Sequence, residues 1–331
     1  MNSRQKMKPH IGMLIIAALL LVLPLIVPNA YVISIMVLVA IFGVLALGIG
    51  VLFVYAGLFT LVQPVFLGLG AYTAAILSLR GVPPVISILA GGFLVAIVAL
   101  MIGAPVLRLR GFALILSSFA ILLAANIAFT QLEITGAANG LQNIPLLSLG
   151  SLTVKGDVQY YYLSWAFCVA CLLICTNIIN SRPGRAIQAA RDSEMGAASL
   201  GVNVAIYQLE IFVITSVMAG FAGGIYCFYL RVVSPALYSY DLLISLVLMT
   251  IVGGIGRVWA PLLGCFVIMW LDELMKAYLG KILPVMTGNV TNILFGIIII
   301  VLMIFAPQGL VGLLDEAKRY FRSVFRSGES A

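Results

Sequence analysis

SRPGRAIQAARDSEMGAASLGVN, residues 181–203, is a polar stretch set inside a very apolar chain. It opens on a Pro-Gly turn (Pro183-Gly184) and continues as a short basic helix with an acidic turn at Asp192 and Glu194. Apolar runs of membrane-spanning length flank it, at about 160–179 and 206–230, since a helix crosses the hydrocarbon core with about 20 apolar residues. The rest of the chain settles its solvent. Hydrophobic residues make up 63% and charged residues 9%, with mean hydropathy +1.20, against about 25% charged in a soluble domain. A chain of 331 residues with so few charges cannot cover a water-facing surface, so the bilayer surrounds it.

Ten apolar runs are legible, at roughly 11–28, 31–50, 53–79, 85–105, 111–131, 160–179, 206–230, 241–256, 258–279 and 287–306. The expected architecture is an all-α integral membrane protein, a polytopic bundle of about ten transmembrane helices. No ten-residue alternation of a membrane barrel is present. The 53–79 run is Gly-rich (Gly57, Gly68, Gly70) and interrupted at Gln63-Pro64. It fits a helix that enters, breaks and continues, which is allowed where protein buries the irregular backbone. The pair 241–256 and 258–279 reads either as two spans or as a re-entrant hairpin.

With the N-terminus in the cytoplasm and the sides alternating, five of the eighteen Lys and Arg fall outside (Arg80, Lys155, Arg231, Lys276 and Lys281) and thirteen inside. That is the bias of the positive-inside rule. It makes both termini and 181–203 cytoplasmic, and assigns residues 1–10 to an N-terminal tail, 11–306 to the transmembrane domain, 132–158 to the longest external loop and 307–331 to a C-terminal tail. Topology and lipid headgroups account for the net charge of +7 without a nucleic acid partner. The first run has the basic start of a signal peptide, but Pro24 and Pro28 lead into a further apolar run without a small-residue cleavage site; it is expected to remain as a helix.

Catalytic machinery is not legible. There is no GxxxxGK[ST] loop for ATP, no HExxH and no GxSxG, and the single histidine, His10, is near the N-terminus. Asp241 and Asp272 do not form a paired-carboxylate setting. Cys168, Cys171 and Cys175 share a helix face but read as small packing residues, like Cys227 and Cys265. The expectation is a transport subunit with no enzyme activity, metal or cofactor. Small residues in AGFAGG (219–224) suit close helix packing, and GGIG (253–256) marks a break beside Arg257.

Several stretches, in order, resemble the membrane permeases of branched-chain amino acid ABC importers: YAGLFTLVQPVFLGLGAYTAAIL (55–77), LRLRGFALILSSFA (107–120), TGAANGL (135–141), SRPGRAIQAARDSEMGAASLGVNV (181–204), AGFAGGIY (219–226), SPALYSYDLLISLVLMTIVGGIGRVWAPLLG (234–264) and FAPQGLVG (305–312). The resemblance covers about residues 31–314. It implies an inner-membrane permease of a bacterial cell that takes up branched-chain amino acids. Its partners would be two ATP-binding subunits, a second related permease or a second copy of itself, and a substrate-binding protein. Urea, short amides or another amino acid are alternative solutes in the same kind of machine. A stand-alone secondary transporter is the remaining reading, disfavoured by the scarcity of mid-span carboxylates.

By the same resemblance 181–203 is the segment that couples ATP hydrolysis to transport. Arg182, Arg185, Arg191, Asp192 and Glu194 are its charged contacts, Gly184 and Ala197 belong to its pattern, and Gly201 ends its helix. Ala186, Ala189 and Ala190 form a small face that can seat in a groove. The sequence departs from the family where Gly196 replaces an Ala, and at Ala198, Gln208 and Glu210. Polar residues inside the spans are costly and often functional. Gln63 leads the pathway candidates, because broken helices in transporters often face the substrate. Asn126, Thr215 and Ser216 follow, with Ser117, Ser118, Thr130, Asn289 and Asn292 behind them. The loop 132–158 either receives the binding protein or caps the bundle.

Overall fold

The structure, a computed structural model, describes Pro24 and residues 29–149, 152–254, 256–282 and 309–312. The expected spans at 11–28 and 287–306 and both tails lie wholly or largely outside these residues, as do Asn289 and Asn292.

Helix α1 (Ala30–Gly50) starts where the Asn29 side chain accepts the Tyr31 N–H at 3.0 Å, the usual device for satisfying an orphan donor at a helix start. Its sequence is apolar on every side, and such a helix is stable only when surrounded. In the span Ala30–Tyr55, 89% of the most apolar window is buried. The last turn widens into a π-turn, Val51–Tyr55, and the helix ends before Gly57, whose φ of +67° suits glycine. Residues 57–62 are non-helical. The chain then resumes as α2 (Gln63–Leu79), with Pro64 in the first turn, where its missing N–H does no harm. The 53–79 run is therefore two pieces with an irregular link.

Helices α3 (Pro84–Val106) and α4 (Phe112–Gln131) follow. After them come α5 (Asp157–Asn180), two short helices α6 (Arg182–Asp192) and α7 (Glu194–Ser199), and α8 (Val204–Leu230). Helices α9 (Tyr240–Gly253) and α10 (Ala260–Ile282) pack against each other as a hairpin. Among the described residues, Ala30–Tyr55, α3, α4, α5, α8 and Pro235–Gly253 are long and apolar enough to cross a bilayer. Helix α2 is shorter, and α10 carries Asp272, Glu273 and Lys276, the first two within ion-pair distance of the lysine. The protein is a multi-pass, essentially all-helical membrane protein.

Helices α1, α2 and α8 form the centre. Helix α8 runs along α2 and α3, and α1 packs on α5, α8, α9 and α10. The α2–α8 contact depends on glycine. A side-chain carbon added at Gly70 would overlap the Gly220 backbone, and one at Gly223 would overlap the Leu67 carbonyl. Without a hydrophobic drive between helices in lipid, such close approach supplies the packing energy. Helices α3 and α4 lie at the periphery, with Phe93, Met101, Phe112 and Leu116 exposed. Exposed apolar side chains of this kind meet lipid or another membrane subunit.

The loop after α4 is ordered by backbone pairing. Leu141 and Val233 exchange N–H···O bonds of 2.8 and 2.9 Å, and Arg231 donates from Nε to the Ile144 carbonyl at 3.1 Å. Ile144 and Leu147 are buried. Two-residue strands, β1 (Ser148–Leu149) and β2 (Leu152–Thr153), pair antiparallel, a small departure from the helical pattern of the described residues. The Leu141–Val233 and Arg231–Ile144 contacts tether 132–158 to the α8–α9 link.

Candidate functional site

Two places in the fold concentrate polar residues, the segment 181–203 and a cluster around Gln63.

The segment 181–203 is a pair of helices. Ser181 caps α6 by accepting the Gly184 N–H at 3.3 Å. Gly184 lies against the last turn of α5, where a side-chain carbon would overlap the Ile178 and Ile179 carbonyls. Gln188 adds donors to the carbonyls of Ile179 (3.2 Å) and Gly184 (3.1 Å). These contacts fix α6 to the end of α5. Gly184, Ile187 and Ala190 face inward, while Arg182, Arg185, Ala189, Arg191 and Asp192 are exposed. The anticipated alanine face is thus divided: Ala190 packs within this chain, Ala189 points out and Ala186 is intermediate.

The chain breaks at Ser193, which is extended (φ −155°, ψ 102°), and Ser193 caps α7 by accepting the Gly196 N–H at 3.2 Å. Glu194 sits in the first turn of α7, where a negative charge meets the positive end of the helix dipole, and pairs with Arg110 at 2.6 Å. Both side chains are well exposed, so the pair stabilises little. Its effect is to tie the α3–α4 loop to α7. Ala197 is buried with Ala190 and Val204. Gly201, with φ +80°, ends the segment, and the Val202 N–H reaches back to the Ala197 carbonyl at 3.1 Å, a helix stop that favours glycine. Met195 and Leu200 are 85% and 84% exposed, two apolar side chains held outward on a polar segment. Sequence reasoning missed these two, and it missed Arg110, whose partner is 84 residues away.

The positively charged side chains differ in what they do. Arg185 donates to the Asn180 carbonyl at 2.9 Å. Arg191 turns toward the bundle and donates from Nη1 to the Val54 carbonyl in the π-turn. All three arginines of α6 are exposed, and Arg182 is the one with no hydrogen bond or ion pair among the described residues.

A local test follows from the Gly184 contact. Gly184→Ala forces a carbon against backbone that cannot rotate away, and overpacking of this kind costs about 1–3 kcal/mol. The expected result is a bundle that still folds with a loosened 181–203 segment, read as faster tryptic cleavage at Arg185 and Arg191. Unchanged cleavage would show that α6 moves aside without penalty.

The second place lies inside the bundle. Gln63 is fully buried at the start of α2, and neither its amide oxygen nor its amide nitrogen has a hydrogen-bond partner among the described residues. The same holds for the Thr60 hydroxyl. A carbon built on Gly48 would lie 3.3 Å from Gln63 Nε2 and 3.5 Å from Thr215 Cβ. Gly48 precedes the end of the π-turn by seven residues, about 10 Å at the helical rise, and Thr215 is close to the middle of α8. Gln63 therefore lies inward from the end of Ala30–Tyr55, a helix long and apolar enough to cross a bilayer.

The other pathway candidates are satisfied locally. Thr215 donates to the Ile211 and Phe212 carbonyls at 3.0 Å, and Ser216 to Phe212 at 2.7 Å. Asn126 donates to the Pro235 carbonyl at 3.1 Å and ties α4 to the turn before α9. Ser117 and Thr130 bond to carbonyls of their own helix. Ser118 accepts the Leu61 N–H at 3.2 Å and anchors the irregular link 57–62. The structure brings Gln63 and Thr215 together with Gly48 and leaves Asn126 in a separate contact. The described residues contain no group of three or more His, Cys, Asp or Glu placed to hold a metal ion. The cysteines are buried free thiols; Cys175 lies 3.9 Å from the Met218 sulfur.

The profile of the family described as branched-chain amino acid transport system / permease component matches residues 31–307. Among curated proteins, the chain is similar to the high-affinity branched-chain amino acid transport system permease protein LivM of Escherichia coli (strain K12). The two are 26% identical over 305 residues, covering 84% of this chain and 69% of that protein. LivM of Salmonella typhimurium is 27% identical over 297 residues, covering 82% and 68%. A probable LivM of Methanocaldococcus jannaschii is 24% identical over 212 residues, 61% of this chain and 59% of its own. No solved structure matches the chain significantly. The match takes in the broken α1–α2 region, the segment 181–203 and the α9–α10 hairpin, and the chain belongs to the family of branched-chain amino acid transport permeases.

Proposed function

We propose that the chain is a membrane subunit of an ATP-driven importer and forms part of the transmembrane path for branched-chain amino acids. ATP is hydrolysed on separate subunits, and a binding protein delivers the solute. The observation that carries this reading is the family match over residues 31–307, joined to a two-helix segment with exposed side chains on its outer face. Arg182, Asp192, Met195 and Leu200 are presented on that face. Two apolar side chains amid charges suit a protein groove, with the charges setting orientation and register. The proposed assembly holds two ATP-binding subunits, a second permease (a related chain or another copy) and the binding protein, in the inner membrane of a bacterial cell with 181–203 and both termini cytoplasmic. When the ATP-binding subunits close, α6 and α7 move with them and the packed bundle switches between two openings as rigid bodies. Gln63 and Thr215, with Asn126 and Ser216 less directly, are the proposed polar contacts along the path.

Purification from the native host in mild detergent is the direct test. The wild-type chain is expected to bring ATP-binding subunits with it, and the double variant Met195→Asp, Leu200→Asp to lose them. Interface anchors typically contribute about 2 kcal/mol or more, so the expected loss of affinity is about thirtyfold or greater. Retention in the variant would move the docking surface away from α7, and absence from the wild type in several detergents would remove the ABC assembly itself.

A further inference from the structure

Arg191 joins the segment 181–203 to the broken part of the bundle. Arg191 lies in the last turn of α6, and its guanidinium donates to the Val54 carbonyl, inside the π-turn that ends α1. The last carbonyls of a helix lack intrahelical partners and carry the negative end of its dipole, so a cation there completes the helix end. The stem of Arg191 also covers the point where the chain leaves the helix. A carbon added at Gly57 would lie 3.2 Å from Arg191 Cγ. One residue thus holds the end of α1 and the beginning of the irregular link.

That link leads directly to Gln63. From Gly57 the chain runs through 58–62, is pinned at Leu61 to Ser118 of α4, and enters α2 at Gln63 beside Gly48 and Thr215. Along the chain, Gln63 follows the two Arg191 contacts, at Val54 and Gly57, by less than ten residues. The α6 helix itself is held as a lever: its start is fixed to α5 through Gly184 and Gln188, and its outer face is exposed. A displacement applied to that face reaches the end of α6, and there the contact found is Arg191 on Val54 and Gly57.

We propose that Arg191 is the positioning residue that transmits movement of the 181–203 segment to the irregular link 57–62, and through it sets the placement of Gln63. The proposal rests on the reading of 181–203 as the docking segment for ATP-binding subunits; Arg191 is itself exposed, and the proposal gives its guanidinium, bonded to the Val54 carbonyl, the role of linking docking to the path rather than of holding the ATP-binding subunit.

The test uses the full transporter, assembled with the ATP-binding, partner-permease and binding-protein components of its own host in proteoliposomes. Arg191→Met keeps the stem and removes the donors; Arg191→Lys keeps a charge and one donor group. Three quantities are read: ATP-binding subunit recovered with the chain, ATP hydrolysed, and leucine transported per ATP. The expected result for Arg191→Met is normal recovery, hydrolysis within about twofold, and transport per ATP reduced about tenfold or more, the factor associated with losing a hydrogen bond to a charged donor. Arg191→Lys is expected to recover part of the transport ratio. If Arg191→Met does not fold, Arg191→Lys alone carries the test, with a lowered transport ratio at full subunit recovery as the supporting outcome. Loss of the ATP-binding subunit from the Met variant would overturn the proposal and make Arg191 a docking contact. An unchanged transport ratio would overturn it while leaving the docking reading intact. Failure of the wild-type chain to retain any ATP-binding subunit would overturn both.

Discussion

Gly70→Leu and Gly223→Val are each expected to leave little or no folded protein. At Gly70 the backbone of α2 meets the backbone of α8 at Gly220, and the backbone of α3 comes close as well, since a carbon on Gly91 would lie 2.9 Å from the Gly70 carbonyl oxygen. Three helices meet at one level with no side chain between them. Gly223 repeats the contact about one turn further along α8, against the Leu67 carbonyl. A neighbouring side chain can rotate out of the way of an added methyl group, but a helix backbone cannot. The helices would have to separate along their length, forfeiting the dispersion contacts that hold a bundle together in lipid. Ordinary overpacking costs about 1–3 kcal/mol; with backbone on both sides the cost should exceed about 3 kcal/mol, a large share of a typical stability of about 5–15 kcal/mol. Monodisperse yield on size exclusion in detergent measures it. Phe93→Ala is the control, because Phe93 on α3 is 69% exposed and its loss should stay within about 0.5 kcal/mol. Normal yield from either glycine variant would mean that α2 and α8 do not approach as closely as the structure has them.

The order of these elements was largely legible in the sequence because apolar length and composition are local properties. The runs at 85–105, 111–131, 160–179 and 206–230 correspond to α3, α4, α5 and α8 within a few residues. The break near Gln63-Pro64 was legible for a local reason too, since proline removes an N–H and tolerates only the first turn. Its shape was not. That α1 continues through a π-turn to Tyr55, and that the link 57–62 is pinned by Ser118, depend on contacts with α4 and α6, and no local signal announces them.

The same division runs through 181–203. The amphipathic character of α6 and the stop at Gly201 follow from residue type and order. The split at Ser193 is decided by a competition between continuing one helix and capping a second, and a serine in an Ala-rich stretch does not reveal which prevails. The direction of each arginine was the least legible feature. Arg185 and Arg191 are six residues apart on one helix, yet Arg185 bonds to Asn180 at the junction with α5 and Arg191 reaches the end of α1. Charge alone identifies a surface segment, and only the fold says which charges it keeps for itself.

Gln63→Leu is expected to make the protein more stable and the transporter much slower. An ordinary buried amide is held by hydrogen bonds, so replacing it leaves partners orphaned and destabilises. Gln63 has none among the described residues for either end of its amide, and the adjacent Thr215 hydroxyl is already committed to its own helix. A buried polar group without partners costs about 1–3 kcal/mol, and leucine, of similar size and fully apolar, removes that cost. The thermal midpoint of the purified chain should therefore rise. A residue retained at a cost to stability is the mark of function over packing, and the function that the position suggests is transient hydrogen bonding to the polar end of an amino acid during passage. Losing one such bond at a buried site should lower leucine uptake about tenfold or more. Gln63→Glu separates polarity from charge: a carboxylate at this depth is costly to bury, so it should lower the midpoint as well as uptake. Three results are distinguishable for the leucine variant. A raised midpoint with lost uptake assigns Gln63 to the path. A raised midpoint with normal uptake makes the amide a dispensable polar residue in the core. A lowered midpoint means that the amide finds partners in the assembled membrane, and shifts the search for the path to the surface through which this chain meets its neighbouring permease.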